Sequence, residues 1–324
     1  LKKTKLNYGL RKKILNGTLN NNTMKSYRRA INKFSLWAND CGIKYVEDIQ
    51  NPPMLIQKYE EFLKSKGYTP CTIHNYLAPI CKGFDISMVA IKKPKRASNC
   101  IVKGRNPMAN MRSNKEALLD KNRRLVDFQM RVGIRRSELK KLTGKNLVID
   151  ESEYLCVEVI KGKGGKYQLQ RILPMYIDLI SSYFDGTDNR IFSPEEMNNK
   201  INLHKYRAYV AKRAYDYYLN ICSSDCGKEQ LKKEIVSRYV AFNKRYSSSK
   251  NPEENLNKFI NDMEKNGGKY VLRGETKKNA QSLDLPVEYD RFALMAVSVF
   301  HLSHWRLDVT VTNYMISEKS NTNC

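Results

Sequence analysis

Five short segments hold residues whose types could do chemistry together: GIRRSEL (133–139), KGKGGK (161–166), YVLRG (270–274), LSHW (302–305) and TNYM (312–315). In chain order they supply arginine, lysine, arginine, histidine and tyrosine. Cutting a phosphodiester without a metal needs a nucleophile, two or more cations on the non-bridging oxygens, and an acid that protonates the leaving oxygen. Arginine suits the oxygens because its planar guanidinium donates two parallel hydrogen bonds and stays charged at any useful pH. Each segment alone is a weak signal.

The elements that must position these residues are legible from periodicity. In NTMKSYRRAINKFSLWAND, Met24, Tyr27, Ile31, Phe34 and Trp37 recur at helical spacing, with Thr23 as the expected N-cap. Lys25, Arg28, Arg29 and Lys33 fill much of the other face, a pattern suited to phosphate contact. A second stripe runs from Pro53 through Leu55, Tyr59, Phe62 and Leu63 to Gly67, and a third starts near Thr69 with Ile73, Tyr76, Leu77 and Ile80. Residues 20–90 therefore read as a compact helical module. Residues 91–115 hold eight Lys and Arg and no acid, which predicts a linker lying as a basic strap along DNA through Lys92, Lys93, Lys95, Arg96 and Arg105.

Beyond the linker, the pattern predicts a helix over Leu118–Val132 that breaks at Gly133, with Ser137 and Glu138 in the next helix. The β-favouring runs YLCVEVI and YQLQRIL flank KGKGGK, whose glycines supply the positive φ of a tight hairpin. Residues 174–265 read as helical, with polar interruptions at 184–189 and 246–252 and a loop over 243–256. RFALMAVSVFHLSHW reads as a buried helix, followed by a turn and the β-prone segment TVTNYMI.

Composition narrows the partner. The 324 residues carry 58 Lys+Arg against 33 Asp+Glu, a formal charge of +25, and residues 1–115 hold 23 of those bases against only 6 acids. Such a surface seeks a polyanion. No stretch approaches the ~18 apolar residues of a membrane-spanning helix, and LKKTKLNYGLRKKILNG lacks a signal peptide's apolar core. Eight scattered cysteines, only Cys222 and Cys226 close together, predict reduced thiols and no metal site. The expectation is a cytoplasmic protein of the bacterial cytoplasm or nucleoid, without a membrane role.

Taken in order, GIRRSEL, the KGKGGK hairpin, YVLRG, LSHW and a tyrosine shortly after resemble the catalytic domain of tyrosine recombinases, the phage integrase family. The helical module resembles that family's core-binding domain, so the likeness covers most of residues 20–318. The resemblance implies a mainly α fold with a small β-sheet, comprising an N-terminal helical (SAM-like) core-binding domain and an α+β tyrosine recombinase catalytic domain. Its expected boundaries are a basic segment at 1–19, the core-binding domain at 20–90, the linker at 91–115 and the catalytic domain at 116–324.

The likeness also implies roles. Arg135 matches the first phosphate-binding arginine, with Glu138 bracing its turn, and Lys163 matches the hairpin lysine that protonates the leaving 5′-oxygen. YVLRG resembles the H-x-x-R signature, making Arg273 the second arginine and placing Tyr270 where histidine is usual; a phenol there is a donor at most. Arg291 in EYDRF is the competing candidate. His304 stands in LSHW where the family has Gly-His, with Ser303 in place of glycine, while His301 and Trp305 are expected to pack. Tyr314 is the expected nucleophile, leaving a 3′-phosphotyrosyl enzyme and a free 5′-hydroxyl with no cofactor. Implied partners are double-stranded DNA with a specific recombination site and a homotetramer on two such sites, integrating or excising a mobile element. The competing readings are a type IB topoisomerase and a DNA-binding protein with a decayed active site.

Overall fold

A computed structural model of the chain describes residues 3–15, 19–95, 116–246 and 251–316. Contacts divide the chain into two compact units, Leu1–Val102 and Lys103–Cys324. The described residues are mostly helical with a small sheet, the class expected from the sequence. Among them no helix is long and apolar enough to cross a membrane.

The first unit is built from α1 (Leu6–Ile14), α2 (Asn21–Asp40), α3 (Pro52–Ser65) and α4 (Pro70–Gly83). The expected stripes face inward: Ile31, Phe34, Tyr59, Leu63, Leu77 and Ile80 are buried together. α1 lies inside the segment expected to be merely basic, because Leu6, Leu10 and Ile14 recur every fourth residue and bury against α2 and α4. The cap of α2 is Asn20 rather than Thr23, since the Asn20 side chain accepts from the Thr23 amide. Lys25, Arg28 and Arg29 are exposed on α2. Lys92 and Lys95 are exposed too, whereas the Lys93 ammonium turns back to donate to the carbonyls of Met88 and Ile91. Arg96, Arg105 and most of the expected linker lie outside the described residues.

The second unit begins with α5 (Glu116–Lys121) and α6 (Arg123–Val132), which divide the expected single helix at Asn122. After Gly133, whose φ of 69° ends α6, come α7 (Arg136–Leu139), β1 (Leu147–Ile149), β2 (Leu155–Val159) and β3 (Gln168–Arg171). β1, β2 and β3 form an antiparallel sheet, with Val157 opposite Leu147 on one side and Gln170 on the other. Gly164 and Gly165, at φ 76° and 77°, shape the hairpin tip. Then follow α8 (Ile177–Ser181), α9 (Pro194–Met197), α10 (Leu203–Ile221), α11 (Asp225–Tyr246) and α12 (Pro252–Gly268). Both helices run into the expected 243–256 loop, taking up 243–246 and 252–256.

Next come β4 (Lys269–Val271), α13 (Gly274–Ser282), β5 (Glu288–Asp290) and α14 (Arg291–Ala296), with β4 and β5 paired antiparallel. α14 continues into a π-helical turn at Val297–His301, and α15 (Leu307–Thr310) into a second at Val311–Met315. TVTNYMI is therefore helical, not extended. Its β-branched residues are overruled by packing, since Val311, Tyr314 and Met315 recur at helical spacing and are buried.

α11 is fastened to the sheet by charge. Asp150, just after β1, accepts from Arg171 of β3 at 2.7 Å and Arg238 of α11 at 2.5 Å, and Arg171 also donates to Glu234 at 2.6 Å. Removing one member would leave a buried charge unpaired, which typically costs about 3–5 kcal/mol.

Candidate active site

Arg135 caps the N-terminus of α7 and is set by its neighbour Glu138. The buried Glu138 carboxylate accepts from the Arg135 guanidinium at 2.9 Å and from its backbone amide at 3.1 Å. It accepts as well from the Lys163 amide at 3.2 Å and the Gln168 side chain at 3.4 Å. One carboxylate thereby fixes the first arginine and the base of the hairpin tip together. The Lys163 side chain itself is exposed.

The second arginine of this cluster is Arg207, on α10. Its guanidinium is fully buried and donates to the carbonyls of Gly133 at 2.6 Å and Leu302 at 2.7 Å. Arg135 also reaches the Leu302 carbonyl, at 3.4 Å, so two guanidiniums converge on one oxygen. The close approach depends on Gly133. A Cβ there would lie 3.1 Å from Val210 and 3.3 Å from the Arg207 Cα. Arg207 also hydrogen-bonds Tyr314 and makes no ion pair with a carboxylate among the described residues; burial and the adjacent Arg135 pull its pKa down against the pull of Tyr314 and Glu138.

The buried helix expected over RFALMAVSVFHLSHW ends at His301, so His304 sits instead in a strained loop. Ser303 and Trp305 both hold left-handed backbone, with φ of 50° and 58°. Such backbone favours glycine, and neither residue is one, so both hold it at a cost. Ser298 ties the loop down: its carbonyl accepts from the His304 amide at 3.2 Å and its hydroxyl from the Arg306 amide at 2.9 Å. The same hydroxyl pairs with His304 Nδ1 at 3.3 Å. On the far side the Trp305 ring packs against Tyr239 and Phe242 of α11 and Phe259 of α12, with centroids 5.2 to 5.9 Å apart.

Tyr314 is buried, its ring 5.9 Å from His304 at an interplanar angle of 27°. His204 of α10 lies 6.0 Å from the same ring. Burial, with Arg207 and Arg135 nearby, pushes the His304 pKa down to about 3, so the imidazole is neutral over the working range. Its Nε2 is buried without a hydrogen-bond partner among the described residues. The arrangement offers two cations aimed at one oxygen, a neutral histidine and a phenol in a single site. No cluster of three or more His, Cys, Asp or Glu placed to hold a metal occurs among the described residues.

Four of the six expected catalytic residues thus meet here or border the site: Arg135, Lys163, His304 and Tyr314. Tyr270 and Arg273 do not. Among the described residues no hydrogen bond, ion pair or ring contact joins either to Arg135, Arg207, His304 or Tyr314. Arg273 is exposed at the start of α13, and Tyr270 packs under Arg291, whose guanidinium lies 5.6 Å from the ring. Arg291 is itself held by the Asp262 carbonyl, so it does not replace Arg273 at the cluster. The missed residues had a signal, since His204-Lys205-Tyr206-Arg207 is a literal H-x-x-R. Arg207 precedes His304 by 97 positions, an interval that holds α11, α12, β4, α13 and β5 and hides the link.

No family model matches the chain, and no curated protein matches it. Among solved structures, the crystal structure of XerA recombinase matches at 20% identity, covering 64% of this chain and 82% of that one, with a TM-score of 0.21.

Proposed function

We propose that this protein is a site-specific DNA recombinase of the tyrosine type. The observation that carries the reading is the convergence of Arg135 and Arg207 on one oxygen, beside His304 and Tyr314. A buried guanidinium without a carboxylate is costly unless an anion completes the site, and a phosphate oxygen in place of the Leu302 carbonyl would do so.

In the proposed step the Tyr314 oxygen attacks phosphorus as its phenol proton passes to solvent, and the neutral His304 imidazole, whose Nδ1 pairs with Ser298, donates from Nε2 to a non-bridging oxygen. The bond between phosphorus and the 5′-oxygen breaks, and Lys163, exposed at its hairpin tip, protonates that oxygen. Arg135 and Arg207 hold the two non-bridging oxygens as charge builds on them. Reversal by another strand's 5′-hydroxyl rejoins the DNA, so neither metal nor nucleotide is consumed. Arg207 takes the role that the sequence suggested for Arg273, with His204 in place of Tyr270. Lys25, Arg28, Arg29, Lys92, Lys95, Arg96 and Arg105 would contact the DNA backbone, and a homotetramer would bring two sites together.

A duplex nicked beside the cleavage point, incubated in EDTA, tests the reading. Wild-type protein should become covalently joined to the 3′-phosphate, and Tyr314→Phe should bind the duplex equally well without forming the adduct. An adduct that survives in Tyr314→Phe, or that needs Mg²⁺, overturns the assignment. Strand exchange between two sites on one plasmid then separates a recombinase from a topoisomerase.

A further inference from the structure

The motif that does not reach the cluster, Tyr270 to Arg273, lines a separate cleft of about 350 Å³. Lys265, Tyr270, Arg273 and Arg291 form one part of its wall, and Asp308 and Thr312 lie on the segment that leads to Tyr314. Three cations thus face one acid. That acid is already committed: Asp308 accepts twice from Arg306, at 2.7 and 3.3 Å. Arg291 is fixed in place by the Asp262 carbonyl and the Tyr270 ring, with the exposed Asp262 carboxylate 3.9 Å from its guanidinium, so its charge is partly met already. Lys265 and Arg273 are exposed and make no ion pair among the described residues. Burial and the Asp308 carboxylate raise the Tyr270 pKa, so its hydroxyl stays a proton donor.

Resting on the reading of the protein as a DNA recombinase, we infer that this cleft binds a second phosphodiester of the DNA backbone, through Lys265, Tyr270, Arg273 and Arg291. Fixed and free cations around a protonated phenol match a singly charged phosphodiester, which offers acceptors only. Thr312 and Tyr314 stand two positions apart and so project to different sides of one helical segment, ~10 Å across. A phosphate in the cleft would then lie on the order of three base steps from the one under attack, at ~3.4 Å per step along a strand. DNA gripped there would bear directly on the segment that carries the nucleophile.

The test uses the full chain and the double variant Lys265→Gln/Arg273→Gln, whose side chains are exposed and whose loss leaves the core intact. The probe is the nicked duplex that traps the adduct, with single methylphosphonates placed along both strands. Binding is read by anisotropy over a salt series. For the variant, the slope of log affinity against log salt should fall in magnitude by about 0.9, the value for one lost phosphate contact. One methylphosphonate position about two to four nucleotides from the cleavage point should weaken wild type and leave the variant unaffected. Adduct formation at saturating DNA should stay within about threefold of wild type, because the catalytic cluster is untouched. An unchanged slope with unchanged methylphosphonate sensitivity, in a wild-type protein that does form the adduct, overturns the cleft alone. A wild type that neither binds nor cleaves DNA overturns the recombinase reading and the cleft with it. Inorganic phosphate at matched ionic strength should leave the difference between the two proteins unchanged; erasing it would assign the cleft to a free anion instead.

Discussion

On the proposed reading, replacing Trp305 by alanine should slow cleavage although Trp305 itself would take no part in the chemistry. Two non-glycine residues in left-handed backbone, Ser303 and Trp305, cost together about 3 kcal/mol. The two backbone amides bonded to Ser298 return about 2 kcal/mol. The contacts of Trp305 with Tyr239, Phe242 and Phe259 supply the remainder: a buried Trp→Ala change costs about 3–5 kcal/mol, and for this half-buried ring about 2–3 is appropriate. With the ring present the aligned loop is favoured by about 1–2 kcal/mol; without it the balance turns against alignment by about 1 kcal/mol. His304 would then be in place roughly one time in six, so Trp305→Ala should lower the single-turnover cleavage rate about five- to tenfold. DNA affinity should not change. Adding Ser303→Gly, which removes about 1 kcal/mol of strain, should bring the rate back to within about twofold of wild type. Rapid-quench kinetics on the nicked duplex would measure both. Wild-type rates in Trp305→Ala, or a double variant no faster than the single, would refute the idea that the aromatic cage holds the loop.

Arg207→Lys keeps the buried charge but not the paired donors, and should lose about 10²–10³ in cleavage rate, whereas Arg273→Gln at saturating DNA should cleave nearly normally; the opposite pattern would return the second clamp to Arg273. Stability should fall on acidification through the buried His301 and the half-buried His304. Burial, with arginines nearby, holds His301 and His304 at about 3, below the ordinary 6.5, so the folded state resists protons that the unfolded chain binds. Their contribution is complete above pH 6.5 and is lost as pH falls towards 3. His301→Gln, whose amide still pairs with Tyr218, should flatten the fall in urea midpoint between pH 6 and 4, and an identical slope would show that His301 is not the group responsible.

The sequence by itself determined what depends on near neighbours in the chain. The helical stripes of α2, α3 and α4 follow from apolar spacing, and the hairpin from glycines between two β-favouring runs. Arg135, Lys163, His304 and Tyr314 stand out through the order of short motifs that resemble the recombinase family, and only for Arg135 and Lys163 is the local turn itself legible, from Gly133 and the hairpin glycines. The charge that points to DNA is likewise a property of composition. What only the tertiary structure decided is which distant arginine joins them. Arg207 reaches Arg135 because α10 packs against α6 at Gly133, and Tyr314 because the last helical turns fold back over α10, while α11 to β5 lie between them in sequence. The same holds for TVTNYMI, where local preference reads as strand and burial of Val311, Tyr314 and Met315 makes a helix. Spacing along the chain constrains contacts within a turn or a hairpin; across an inserted run of elements it constrains nothing, and packing alone sets which side chains share a site.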